Sequence, residues 1–522
     1  MGFFWVLPKR AFWVRDCGNK FLGMQSACSL PDPGKSVDPE HEFYPIPEPF
    51  SYEQNGERHS QYPPYFSILC KPWFETFSFG GLLVLPFVFG IATSFLALWI
   101  GGRIYPFRHP ALLAIVLFFA TPLTFYHFVF WEHTLSVFLC LAATAFILCG
   151  DGRSSFFFLA GAVLGTGLFF REESFLYFLS LLLACAMDRN KRAKSVWLFF
   201  GFFGLACLWL GVQSSFGIGP LQHFFQQTPF SSWSLKRIEV LANLVFGSGD
   251  DFWMRGLGIL LFLGMVSGIF RKSQVQEAAQ EVLQGLGIFG ILVYAGWLWW
   301  SPEKSVAHLL HFNGMLLVFP LVLILFLRRE EEKSSQENFL LRVSLGFCAW
   351  VGLTCPWITS LGVHWGPRVL LPAVPVLALL ILMRFECFLN EPLPVKRVRV
   401  ALFAGWLLAS VLLQGHALCF LFDKLSLNQK IEEQLRQAPE KVMVTTIPWL
   451  AEEMAPLFLE RPIFYCRDQE SFQRLIERLK QKNIQQFLLL QSATTQEDSG
   501  LELPKKVPYF LVKAERCFPK SC

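Results

Sequence analysis

Between Ser78 and Phe420 the chain carries twelve stretches dominated by Leu, Phe, Ile, Val and Trp, separated by short polar loops. A helix needs ~20 mostly apolar residues to cross the hydrocarbon core of a bilayer. The stretches fall at approximately 78–101, 109–130, 133–150, 155–170, 174–187, 195–213, 256–270, 284–300, 308–327, 342–359, 367–386 and 399–420. Backbone groups inside a bilayer must be satisfied within the segment itself, so the pattern predicts an all-α polytopic membrane protein with about 12 transmembrane helices. The fourth, fifth and seventh stretches are short, which predicts tilted or re-entrant segments that line a protein cavity. Charge content agrees: 16% of the residues are charged, where a soluble chain carries roughly a quarter.

Loop charge sets the orientation. One set of loops holds Arg103, Arg108, Arg153, Arg189, Lys191, Arg192, Lys194, Arg271, Lys272, Arg328, Arg329, Lys333, Arg342, Arg384, Lys396, Arg397 and Arg399. Between residues 122 and 368 the alternate set holds only Arg171, Lys236, Arg237, Arg255, Lys304 and Arg368. Short cytoplasmic loops carry the excess of Lys and Arg, so the first set is cytoplasmic and an even span count puts both chain ends outside. The net charge of +5 reports this topology, and without a basic patch interleaved with aromatic residues it predicts no nucleic-acid partner. The bilayer is the partner that composition itself demands.

The start of the chain fits this topology poorly. Met1–Leu7 is far too short for the apolar core of a signal peptide, and Arg10 and Arg15 follow it closely. Nothing upstream carries residues 1–77 across a membrane, so either the first predicted span inserts and pulls a short N-terminal tail across or, the favoured expectation, a preceding span is absent from this chain.

Three regions follow. Residues 1–77 are a first outside loop, proline-bearing but rich in Phe and Tyr, expected to fold with short amphipathic helices on the membrane. Residues 78–424 are the transmembrane region; within its outside loop 214–255, WSLKRIEVLANLVFG has apolar residues at helical spacing and predicts an interfacial helix. Residues 425–522 alternate KVMVTTIP, WLAEEMAPLFLE, RPIFYC, ESFQRLIERLKQK and IQQFLLLQS, a strand–helix rhythm that predicts a small extracytoplasmic α/β domain. No glycine-rich phosphate loop accompanies it, so nucleotide binding is not indicated. The 14 cysteines include no CxxC pair, and a structural metal site is not expected. Cys17, Cys28, Cys70, Cys466, Cys517 and Cys522 fall in outside segments, where disulfides are permitted but cannot be paired from sequence.

Ionisable groups at the mouths of spans are functional candidates, and they gather on the outside. Asp16 and Lys20 lie in VRDCGNKF; His127, Glu132 and His133 in FYHFVFWEH; Arg171, Glu172 and Glu173 in FFREESF; His308 and His311 after the eighth span; His364 and Arg368 in HWGPRVLLPAVP. Each has a plainer reading. Asp16 suits a helix cap or a solvated loop carboxylate, Glu132 with His133 a cap on the third span, Arg171 with Glu172 an ion pair closing a helical hairpin, and Arg368 a headgroup anchor. Together they supply carboxylates, imidazoles and guanidiniums. A carboxylate can take a proton from an acceptor hydroxyl that attacks a sugar carbon. Arg, Lys or a carboxylate-bound divalent cation can stabilise a phosphate leaving group.

In order and context these elements resemble the membrane-embedded GT-C glycosyltransferases of the protein O-mannosyltransferase and aminoarabinose transferase group. An early acidic residue (Asp16) precedes a Tyr-Pro-Pro segment (Tyr62, Pro63, Pro64). TPLTFYHFVFWEHTLSVFLCLAA, then the span-mouth pair Arg171–Glu172, then GPRVLLPAVPVL follow. The resemblance covers roughly residues 10–400, and the DCGNKF variant is most similar to uncharacterised bacterial glycosyltransferases. It implies a GT-C-like fold in a bacterial inner membrane with the active site facing the periplasm. It further implies inverting hexosyl or pentosyl transfer from a polyprenyl-phosphate-linked donor to a lipid, glycan or protein acceptor.

By position the resemblance makes Asp16 the general base and Glu132 a second acidic catalytic group. Arg171 and Arg368 would contact the donor phosphate, with Lys20, His133, Glu172 and His364 as further substrate-binding residues. Asp16 and Glu132 are also its candidate ligands for a divalent metal, Mg or Mn. The sequence departs from the group in having Cys17 where an Asp-Glu pair is common. The rival readings are a transporter or flippase for a lipid-linked glycan, and a polysaccharide polymerase or ligase. Transporters place polar groups near the midplane in repeated halves, whereas here they lie at one face and no repeat is visible.

Overall fold

A computed structural model describes residues 10–25, 29–48, 50–54, 56–150, 152–215, 235–247, 256, 260–261, 263, 274–300, 314–327, 334–355, 364–493 and 511–517. The described chain is mostly helical and divides into two compact units: residues 10–84 with 419–517, and residues 85–300 with 314–418. His308, His311, Cys28 and Cys522 lie outside the described residues.

The first unit joins the two polar regions that read as separate in the sequence. The N-terminal part contributes the helix Arg15–Gln25, a hairpin of β1 (Ser51–Gln54) and β2 (Glu57–Ser60), and the helix Tyr65–Phe77. Gly56 turns the hairpin at φ 75, a left-handed conformation that suits glycine. The C-terminal part forms β3 (Met443–Thr445), β4 (Ile463–Tyr465), β5 (Phe487–Ala493) and β6 (Leu511–Cys517) in the order β4-β3-β5-β6. β3 pairs in parallel with β4 and β5, as the strand–helix rhythm requires. β6 closes the edge antiparallel to β5, a strand the sequence rhythm did not reveal.

The helix Gln469–Gln481 packs Leu475, Ile476 and Leu479 on this sheet, and Asp468 caps it through Ser471 in a capping box. Val37 and Phe43 from the N-terminal segment belong to the same apolar core as Val444, Phe464 and Phe487. The Tyr465 amide donates to the Phe43 carbonyl at 2.9 Å, and Arg478 reaches Asp38 at 2.6 Å. The N-terminal segment thus shares its core with the sheet. Of the cysteines expected outside, Cys17, Cys70 and Cys466 are buried, and Cys466 is a thiol within the sheet core.

The second unit is built from apolar helices. Among the described residues, five helices are long and apolar enough to cross a membrane: Tyr65–Ile104, Arg192–Ser214, Ala278–Trp297, Arg368–Phe388 and Leu393–Gln437. Among the same residues, four shorter apolar helices lie at Pro110–Phe119, His133–Cys149, Ser154–Gly167 and Glu173–Met187. Where the structure departs from the expected spans, proline explains several of the breaks. The stretch expected at 109–130 ends its helix at Phe119, before Thr121-Pro122, and resumes as a single turn at Leu123–Tyr126. The described part of 308–327 is a short helix, Met315–Val318, followed by a 3-10 segment that opens on Pro320. The expected span 399–420 is the middle of the much longer helix Leu393–Gln437. The helix Leu235–Phe246 occupies the expected interfacial stretch, burying Val240 and Leu244 while Ile238 and Leu241 are exposed.

Glycine lets two of these helices touch. A Cβ on Gly161 would stand 2.0 Å from the Leu198 carbonyl oxygen, and one on Gly201 would stand 2.0 Å from that of Phe158. Small residues at such a crossing give the close backbone approach by which helices associate in lipid. The helix Val374–Phe388 is buried on every side.

Candidate active site

In the first unit, Asp16 sits in the opening turn of the helix Arg15–Gln25, where the helix dipole favours a carboxylate. The Tyr62 hydroxyl donates to Asp16 Oδ1 at 2.6 Å, a short bond of the charge-assisted kind. Lys20, one helical turn on and buried, holds its ammonium 5.0 Å from the centre of the Tyr62 ring. The Tyr-Pro-Pro segment thus supplies the side chain that touches both predicted residues of the DCGNKF stretch.

The adjacent face of this helix meets Glu452, one of two neighbouring buried carboxylates that sequence reading passed over. Arg15 Nε lies 3.0 Å from Glu452 Oε2, and Asn19 Nδ2 donates to Glu452 Oε1 at 3.2 Å. Burial pushes the Glu452 carboxyl up to about 7, against the pull of Arg15 and the Asn19 bond. Next to it, Glu453 accepts from Lys424 at 2.9 Å and from Asn428 at 2.8 Å. In sequence, Glu452 and Glu453 look like solvated helix positions, and no local signal marks them as buried.

The second unit gathers the other predicted residues. Glu132 precedes the helix His133–Cys149, and Arg171 precedes the helix Glu173–Met187. Arg171 Nη1 donates to Glu132 Oε1 at 3.2 Å, and Nε donates to Glu173 Oε2 at 2.9 Å, with Nη2 also bonded to Glu173. The plain reading of an Arg171–Glu172 pair is therefore replaced: Glu173 and Glu132 take the guanidinium. Burial opposes the Arg171 charge, but the Glu173 and Glu132 charges outweigh it and hold the guanidinium protonated above its usual range. Loss of solvent and then the Glu173 charge push Glu172 up to about 7, with Arg171 opposing.

His133 packs edge-on against Tyr126 and Trp131, with ring centres 5.0 and 5.2 Å away. Tyr126 donates to the Trp365 carbonyl at 2.9 Å. His364 Nδ1 contacts the Gly366 carbonyl at 2.7 Å. Trp365 Nε1 donates to Gln414 at 2.8 Å, and Gln414 bonds the Val318 carbonyl at 2.5 Å. Gly366 makes the bend at φ 70 that turns the chain into the Arg368–Ala373 segment. Tyr126 and Gln414 are the members of this group that the sequence reading did not single out, while Glu173 stood among its ionisable candidates without an assigned role.

Asp16 and Lys20 thus belong to one unit, and Glu132, His133, Arg171, Glu172, His364 and Arg368 to the other. Among the described residues, no three His, Cys, Asp or Glu side chains converge as metal ligands. Asp16 is bonded by Tyr62, and Glu132 by Arg171. No chemical step is assigned to a metal.

No protein-family profile matches the chain, and no curated protein does. Among solved structures, ArnT from Cupriavidus metallidurans bound to undecaprenyl phosphate is similar at 14% identity, covering 91% of this chain and 91% of that chain, with a TM-score of 0.40. An oligosaccharyltransferase from Archaeoglobus fulgidus tethered to an acceptor peptide is similar at 11% identity and a TM-score of 0.45, covering 92% of this chain and 65% of that one. The oligosaccharyltransferase AglB of the same organism, in complex with an inhibitory peptide and a dolichol-phosphate, is similar at 12% identity, covering 92% of this chain and 66% of that one, with a TM-score of 0.45. These overlaps are loose in geometry and low in identity.

Proposed function

We propose that the chain is a GT-C-type glycosyltransferase that moves a sugar from a polyprenyl-phosphate-linked donor to an acceptor hydroxyl or amide on the periplasmic face of a bacterial inner membrane. The observation that carries this reading is the Asp16 carboxylate, anchored by Tyr62 in the first turn of its helix with Lys20 one turn away. A carboxylate fixed at a helix start can act as a base without first reorganising. Asp16 takes the proton from the acceptor as its oxygen or nitrogen bonds the anomeric carbon. The bond from that carbon to the phosphate oxygen breaks, and the lipid phosphate leaves with the electron pair. Back-side attack inverts the sugar.

The leaving phosphate gains negative charge as the bond breaks, and guanidiniums answer that charge in planar, two-pronged fashion. Arg171 and Arg368 take this role in our reading. Glu132 and Glu173 hold Arg171 in one orientation, so its donors need not be ordered when the donor lipid binds. Lys20, His133, Glu172 and His364 complete the substrate contacts.

The test is transfer of labelled sugar from polyprenyl-phosphate donors by the full chain in membranes, wild type against Asp16→Asn. Loss of transfer by about 10²-fold or more with unchanged protein level supports the reading. Donor binding and movement across the bilayer without transfer would identify a transporter instead, and full activity in Asp16→Asn removes the assigned base.

A further inference from the structure

Two adjacent faces of the helix Arg15–Gln25 carry different loads. Residues four apart share a face, so Asp16 and Lys20 lie together and both meet Tyr62. Arg15 and Asn19 form the neighbouring stripe, and both end on the single carboxylate of Glu452, one on each oxygen. Flanking the Arg15–Asn19 stripe, on the side away from Asp16, stands Gly18, where a Cβ would fall 1.6 Å from the Glu452 carbonyl oxygen. The helix therefore rests directly on the backbone of Leu450–Glu453, with no side chain to cushion it.

Glu452 has 0% exposure. A buried ion pair is a poor source of stability, because desolvating the charges takes back most of what their attraction gives; a well-packed apolar pair does as well or better. What such a pair does supply is a fixed arrangement. The neighbouring carboxylate repeats the pattern: Glu453 bonds Asn428, which also donates to the Phe12 carbonyl at 2.8 Å. Adjacent carboxylates thus hold the chain just before Asp16 and the residues on either side of it.

We infer that Glu452 is a positioning residue for Asp16, fixing the rotation of the helix that presents the base through Arg15 and Asn19. This inference rests on the glycosyltransferase reading above and gives the C-terminal α/β region a part in the reaction. The charged and titratable groups that act on Glu452 are Arg15 and Asp16 from the helix and Tyr44 from the segment after it. With burial pushing Glu452 up to about 7, the Arg15 pair is complete only on the alkaline side of neutrality.

The test uses the full chain in membranes with a polyprenyl-phosphate sugar donor. In Glu452→Gln, kcat falls about 10- to 100-fold, while KM for the donor changes less than about two-fold because no donor contact is removed. The wild-type rise of kcat through about pH 7 is absent in the variant. At pH 8, amide hydrogen exchange speeds up over residues 13–25 in the variant and stays unchanged over 443–465. Where Glu452→Gln fails to accumulate, the double variant Arg15→Met/Glu452→Gln leaves no unpaired buried charge and carries the same measurements. Transfer by wild type, loss in Asp16→Asn, and wild-type kcat, pH profile and exchange in Glu452→Gln overturn this inference alone. A wild type that transfers no sugar overturns the glycosyltransferase reading and this inference with it.

Discussion

Arg171 Nη1 donates to Glu132 Oε1 over 3.2 Å and so ties together the starts of two apolar helices, His133–Cys149 and Glu173–Met187. Both carboxylates on Arg171 stand at helix N-termini, where the backbone dipole already favours negative charge. The guanidinium is the bracket and the two helix starts are what it holds.

Lysine cannot replace that bracket, since one ammonium does not reproduce the planar fork that serves two carboxylates. Arg171→Lys is expected to lower the melting temperature in detergent by an amount equivalent to about 1–3 kcal/mol and to raise KM for the donor. Glu132→Gln, which leaves Glu173 in place, should cost less than Arg171→Lys. Equal melting curves for wild type and Arg171→Lys would show that the bracket contributes nothing.

Tyr62→Phe removes one hydroxyl and nothing else from the neighbourhood of Asp16. A hydrogen bond to a charged group is worth about 1.5–3 kcal/mol, so transfer is expected to slow about 10- to 100-fold. Expression and melting temperature should change little. Transfer rates that match wild type would place Tyr62 outside the reaction.

Stability should depend on pH through Glu452. Its folded-state value, about 7, lies above the ordinary 4.5 of a glutamate. A raised carboxyl favours the folded chain in its protonated form, so this contribution is full below about pH 4.5 and is lost as the pH rises through about 7. Its size is on the order of 3 kcal/mol. Melting temperature measured between pH 4.5 and 8 is expected to fall more steeply in wild type than in Glu452→Gln. Parallel slopes would mean that Glu452 titrates as an ordinary surface carboxylate.

Phe43 lies far from the C-terminal sheet in sequence yet inside its core. Phe43→Ala is expected to cost about 3–5 kcal/mol and to open residues 443–493 to limited proteolysis. Cleavage confined to the N-terminal segment would argue that the sheet stands without it.

How much of this was legible in the sequence varies with the distance over which each cause acts. Apolar runs and the strand–helix rhythm after residue 440 depend on neighbours a few positions apart, so the apolar helical character, though not the number or ends of the helices, and β3, β4 and β5 could be read directly. Pro122 and Pro320 were in plain view, yet hydropathy averages across them and reads one long span where the backbone breaks. In the candidate site, residue type revealed Asp16, Glu132 and Arg171, but the partners did not follow from spacing. Glu172 is nearer to Arg171 along the chain than Glu173, yet the rotation of the helix start selects Glu173. Glu452 meets Arg15 across more than 400 residues, and nothing local records that meeting.

The sheet core that takes in Val37 and Phe43 also sets an order of events during synthesis. The N-terminal segment leaves the ribosome first, but its apolar face has no partner until residues 442–489 exist. All of residues 85–418, with their apolar helices, are made in between. This unit is thus the last part of the chain to close, and its closure reports that everything between its two halves has been made. A chain halted before Val442 leaves Val37 and Phe43 uncovered, a ready mark by which unfinished copies can be told from finished ones.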